Sequence, residues 1–163
     1  MIKQAMLKEI EYEGQQTKKM LERVPFDKFD WKPHDKSRPL GKLATHVAEI
    51  PRWTSRILSS SEFDFATFKP TPSEINSTND LVKLSEDILQ KALSDLQAAS
   101  DEELMSIWTA KRGEQIFFQL PKAAAIRSFA MNHLVHHRGQ LSVYLRLLDI
   151  PVPGMYGPSA DEM

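Results

Sequence analysis

Four stretches of this chain repeat apolar residues at three- and four-residue steps, and no strong strand pattern stands between them. In the first, over 2–24, Ile2, Met6, Ile10, Thr17, Leu21 and Val24 share one face, and Pro25 stops the helix. The second runs from about Pro39 to Ser59 on Leu40, Leu43, Val47, Ile50, Thr54 and Ile57, with Ser37 as candidate N-cap. Pro51 lies inside it and cannot donate to the carbonyl of Val47, which predicts a kink. The third covers about 79–98. The fourth opens at Pro121 and reaches about Leu148. Residues 106–119 read as a small hairpin around Arg112-Gly113, and 62–78 as a long connection. The tail from Pro151 holds too much proline and glycine for a helix. The expectation is one all-α domain over 1–163: a four-helix bundle with long crossover connections and a small hairpin before the last helix.

Composition narrows the chemistry. The 163 residues carry a formal charge of −1, which offers no electrostatic footprint for nucleic acid. There is no cysteine, so disulfides, thiolate metal sites and a protein-borne thiol nucleophile are excluded. Any metal must sit on nitrogen and oxygen. No run approaches the roughly 18 apolar residues of a membrane span, and the start has no signal-peptide core. The expected protein is cytoplasmic, with neither membrane nor nucleic acid as partner.

The fourth helix concentrates what chemistry remains. On a wheel of about 100° per residue, Ile126, Ala130, His133, His137, Leu141, Tyr144 and Leu148 fall within an arc of roughly 80°. His133 and His137 thus lie one turn apart on an apolar stripe, where imidazoles are costly to bury without partners. A divalent metal is a common partner for neutral imidazole. His46 sits at the edge of the Leu43–Val47–Ile50 stripe and can supply a third nitrogen from another helix. Three such ligands leave a position open, the mark of a catalytic rather than a structural metal. Glu49, one turn on, is placed to orient His46 by a hydrogen bond. Trp53, Tyr144 and the 106–119 hairpin are candidate pocket walls. His34 and His136 read as surface or structural residues. Arg138, about 100° from His137, is expected to make structural or subunit contacts. No His-Glu-x-x-His, Glu-x-x-His, phosphate-binding glycine loop or nucleophile elbow occurs.

Several stretches together resemble the DinB family of four-helix bundles. They are Thr17…Val24-Pro25, Trp31-Lys32-Pro33-His34-Asp35-Lys36-Ser37, Leu43-Ala44-Thr45-His46-Val47-Ala48, Asn132-His133-Leu134-Val135-His136-His137-Arg138-Gly139-Gln140 and Tyr156-Gly157-Pro158-Ser159-Ala160-Asp161-Glu162. The resemblance implies a divalent metal, zinc or nickel, on His46, His133 and His137, the same three that the wheel selects. It implies a homodimer. It also implies an S-transferase acting on a small-molecule substrate with a low-molecular-weight thiol such as bacillithiol, mycothiol or glutathione, or a thiol-dependent isomerase. A metal-dependent hydrolase and a non-enzymatic metal-binding stress-response protein are the alternatives.

Overall fold

The structure is a computed structural model that describes residues 2–71 and 73–163. Helix α1 (Ile2–Leu21) buries Met6, Ile10, Thr17 and Leu21, as its periodicity predicts, and packs along α4 (Thr78–Ala98). Ser77 caps α4 by accepting from the Asp80 amide. A short helix, α5 (Asp101–Met105), follows.

The second apolar stretch forms two helices, α2 (Leu40–Glu49) and α3 (Arg52–Ser59). Pro51 keeps near-helical dihedrals, but the hydrogen bonds around it shorten to three-residue spacing, from Trp53 to Ile50 and from Thr54 to Pro51. The break is therefore a kink, as expected of a proline without an N–H. Ser37 does not cap α2. The orphan amides of Leu40 and Gly41 instead donate to the carbonyls of Trp31 and Phe29 in the preceding loop. Gly41 permits this closure, because a Cβ there would come within 2.6 Å of the Phe29 ring.

The expected hairpin is present as β2 (Ile107–Arg112) and β3 (Gln115–Pro121), with Gly113 in the left-handed region at φ 57°. It is part of a three-stranded sheet. β1 (Glu62–Asp64), inside what reads as connection, pairs parallel to β2, with Phe63 opposite Ala110. The Asp64 carboxylate fastens this edge by accepting from the amides of Ala66 and Gly113.

The last helical stretch is not uniform. Helix α6 (Lys122–Ile126) passes into a π-helical turn over Arg127–Asn132 and then into α7 (His133–Leu147). The buried series is accordingly Ile126, Ala130, Leu134, Arg138, Leu141 and Leu145, which places His133 and His137 at the edge of the core stripe. The tail beyond α7 lies against the bundle. Tyr156 reaches the buried Arg138 and Glu13, and Arg146 pairs with Asp161 through both guanidinium nitrogens.

The core has two parts. One gathers Met6, Trp53, Ile57, Leu104, Trp108 and Met131 under the sheet. The other gathers Leu21, Leu40, Val47, Ile50, Leu134 and Leu145. His46 and His133 stand where these parts meet: Val47 belongs to one and Trp53 to the other, as do Leu134 and Met131.

Candidate metal centre

His46 comes from the last turns of α2, and His133 and His137 from the first two turns of α7. One ring nitrogen from each lies within 4.8 Å of the other two. The ring centroids are 5.0 Å apart for His46 and His133, 4.6 Å for His46 and His137, and 4.7 Å for His133 and His137. The Nε2 atoms of His46 and His133 are 3.2 Å apart. Two nitrogens bound to one tetrahedral zinc at about 2.0–2.1 Å stand roughly 3.3 Å from each other, so this spacing fits a divalent ion. All three rings are half-buried.

The outer nitrogens are oriented by partners. His137 Nδ1 bonds Gln140 Oε1 at 2.7 Å, which turns its Nε2 to the cluster. The Gln140 amide bonds His136 Nε2 at 3.1 Å. Gln140 is three residues past His137 and four past His136, so helix spacing alone could have flagged it. The ring of His133 hydrogen-bonds the backbone at Phe129, within the π-helical turn. Such turns are rare and cluster at functional sites.

Electrostatics keep these rings neutral. Burial, then the neighbouring His137, His133 and Arg38, lowers the pKa of His46 from 6.5 to about 4. Burial is also the main cause lowering His133 and His137, and Arg38 contributes to both. Neutral imidazole is the ligand form. The shift has a measurable consequence in metal-free protein. Between about pH 6.5 and 4 the unfolded chain takes up a proton that folded His46 refuses, so stability is full above that window and declines through it. The melting temperature should fall as pH is lowered from 7 to 4.5, and His46→Gln should flatten the fall. An identical slope in the variant would assign the loss to other groups.

Cavities open on both sides of His46. One of about 530 Å³ is walled by Arg38, Lys42, Thr45, Glu49 and Ser73. Another of about 170 Å³ is walled by Glu49, Trp53, Arg56 and Phe68. A third, about 440 Å³, lies beside His137, Gln140, Tyr144 and Arg38. Trp53, Glu49 and Tyr144 therefore all lie beside the cluster. Glu49 accepts from the Ser73 hydroxyl at 2.6 Å and faces Arg52 at 3.7 Å. Among the described residues no hydrogen bond joins it to His46. The hairpin stands behind Trp53 and lines none of these cavities. His34 is exposed in the loop before α2, and its Nδ1 accepts from the Lys36 amide. Arg38 and Gln140 are the site residues that the histidine pattern did not single out.

Comparison with known proteins agrees with this architecture. The sequence matches the DinB family over residues 1–163. It is 29% identical over 161 residues to the uncharacterized protein YrdA of Bacillus subtilis, covering 96% of this chain and 89% of that protein. The fold is similar to the crystal structure of a DinB-like protein, YjoA, also of B. subtilis, with TM-score 0.72 at 18% identity over 98% of this chain and 99% of that one. A DinB-like protein from Bacillus cereus gives 0.65 at 25% identity, covering 89% and 91%. A structure described as a putative DinB-family member from Exiguobacterium sibiricum gives 0.67 at 21%, covering 99% and 97%.

Proposed function

The chain belongs to the DinB family, and from that premise we propose that it is a metal-dependent enzyme, an S-transferase that uses a low-molecular-weight thiol. The observation that carries this reading is the convergence of three neutral imidazoles from two helices onto one point beside open cavities. His46, His133 and His137 would hold the ion, zinc or nickel. Bound there, it supplies a Lewis acid that keeps a thiol sulfur as thiolate near neutral pH, the nucleophilic form. The remaining roles fall to the chain. Gln140 sets the tautomer and direction of His137. Arg38 brings positive charge to the anionic sulfur. Trp53 and Tyr144 wall the approaches and reduce access of water.

The partner in this reading is a small-molecule substrate in the cytoplasm. No helix among the described residues is long and apolar enough to cross a membrane. Val135, Val143 and Leu147 are exposed on one face of α7 at multiples of four residues, and we read that face as the surface pairing two copies.

The test loads the protein with zinc or nickel and presents monobromobimane with and without glutathione, cysteine or bacillithiol. The sulfur displaces bromide, and the conjugate is followed by fluorescence. At least one thiol should conjugate tenfold or more faster than in buffer, with the gain lost in His133→Ala. Ester hydrolysis without any thiol would move the assignment to a hydrolase. No rate gain in either assay would leave only metal binding.

A further inference from the structure

Arg56 is a half-buried cation that Glu49 favours electrostatically but does not pair with. Its guanidinium carbon lies 4.6 Å from the ring centre of Phe68, 4.9 Å from Trp53 and 5.9 Å from Phe63. Among the described residues its side chain makes neither a hydrogen bond nor an ion pair. Most cations that give up water on folding gain a carboxylate in return. The other charges nearby are already engaged, since Glu49 is taken by Ser73 and Arg52. Counting Arg52 and Arg56 against Glu49 leaves one positive charge in surplus along this cavity, whose far end is His46.

The shape of the cavity gives the surplus a direction. His46, Glu49, Trp53 and Arg56 follow one face of the kinked α2–α3 pair, and ten residues of helix span about 15 Å between Cα atoms. The indole of Trp53 and the ring of Phe68 are apolar walls of the cavity that His46 and Arg56 also line. Stacking also limits how the guanidinium can turn, which prepares its planar fork for a planar oxyanion.

We propose that Arg56 is a carboxylate-binding residue: the molecule handled at the histidines is an elongated monoanion whose carboxylate is gripped by Arg56, several bonds from the reacting end, with its apolar stem on Trp53 and Phe68. This rests on the histidines being the reaction centre, but the anion site is testable without metal. A single surplus charge suits a carboxylate better than a phosphate dianion, which Glu49 would oppose.

The experiment titrates metal-free protein with butyrate at constant ionic strength, using its neutral analogue butyramide as control and methyl phosphate as competing chemistry. Tryptophan fluorescence and the arginine Nε–H resonance assigned to Arg56 are the readouts. Saturable binding of butyrate, at least tenfold stronger than butyramide and methyl phosphate, is expected. It should weaken at least tenfold in Arg56→Met and by a smaller factor in Arg56→Lys, which keeps the charge and loses the fork. Circular dichroism confirms that each variant is folded. A flat butyrate titration in wild type, or equal binding in Arg56→Met, would overturn the proposal and leave Arg56 as a packing residue. Stronger binding of methyl phosphate would overturn the choice of carboxylate. Zinc titration of the same samples separates the two readings. Zinc binding without butyrate binding sinks the Arg56 site alone, and butyrate binding without zinc binding sinks the metal centre alone.

Discussion

Wild-type protein incubated with zinc or nickel and desalted should retain about one equivalent of metal by mass spectrometry, and His137→Ala should retain less than a tenth of that. Three nitrogens converge from α2 and α7, and removing any one leaves two, too few to hold an ion against dilution in a half-buried site. His46→Ala should behave alike, because it is the only one of the three from outside α7. His136 bonds Gln140 through Nε2 and is exposed, so His136→Ala should keep the equivalent. Gln140→Ala should lie between, with affinity reduced by about 10–100-fold, since the ring of His137 loses the bond that turns it. A full equivalent in His137→Ala would place the ion elsewhere. No metal in wild type would remove the centre altogether.

The second large effect is on stability. Arg138 is 2% exposed and Glu13 8%. Arg138 donates to the Glu13 carboxylate at 2.5 Å, to the Glu13 carbonyl and Thr17 hydroxyl at 3.0 Å each, and to the Tyr156 hydroxyl at 2.7 Å. Tyr156 in turn donates to Glu13 at 2.9 Å. Arg138→Met strands a carboxylate in the core and should cost about 3–5 kcal/mol, because the penalty is that of an unpaired buried charge. For a chain of this size that corresponds to a fall of roughly 6–20 °C in melting temperature. The double variant Arg138→Met with Glu13→Leu removes both charges and should recover a large part of the loss. Calorimetry on the four members of the cycle measures this coupling. A loss below about 1 kcal/mol in Arg138→Met, or strictly additive single losses, would show that the pair contributes little.

Much of this was legible before the structure, and the failures have physical causes. Helical periodicity located the bundle, because each helix buries a face of its own residues. It also selected His46, His133 and His137, which the fold brings together. The same wheel misjudged the stripe of the last helix. It assumed a constant 3.6 residues per turn, whereas the π-helical turn over Arg127–Asn132 shifts the phase. Leu134, Arg138 and Leu145 then take the buried face, and the histidines move to its edge, where cavities can reach them. Arg138 makes the structural contacts expected of it, but that it makes them in the core was not legible, because its partner Glu13 sits on an amphipathic helix with no local sign of burial. β1 was missed because three residues show no alternation and their pairing partner lies 47 positions away. Ser37 had the right chemistry for a cap, but loop carbonyls had already taken the helix amides.

The Arg138–Glu13–Tyr156 network also ties the first helix to residues made much later. Glu13 emerges from the ribosome early, and its partners follow 125 and 143 residues later. Until Arg138 is made the Glu13 carboxylate has no counter-ion, and until Tyr156 is made both groups lack the hydroxyl they share. A chain that stops short of Tyr156 would form its helices yet keep that carboxylate and the Arg138 guanidinium short of one shared partner. A chain cut before Tyr156 would thus be less stable than one that carries it.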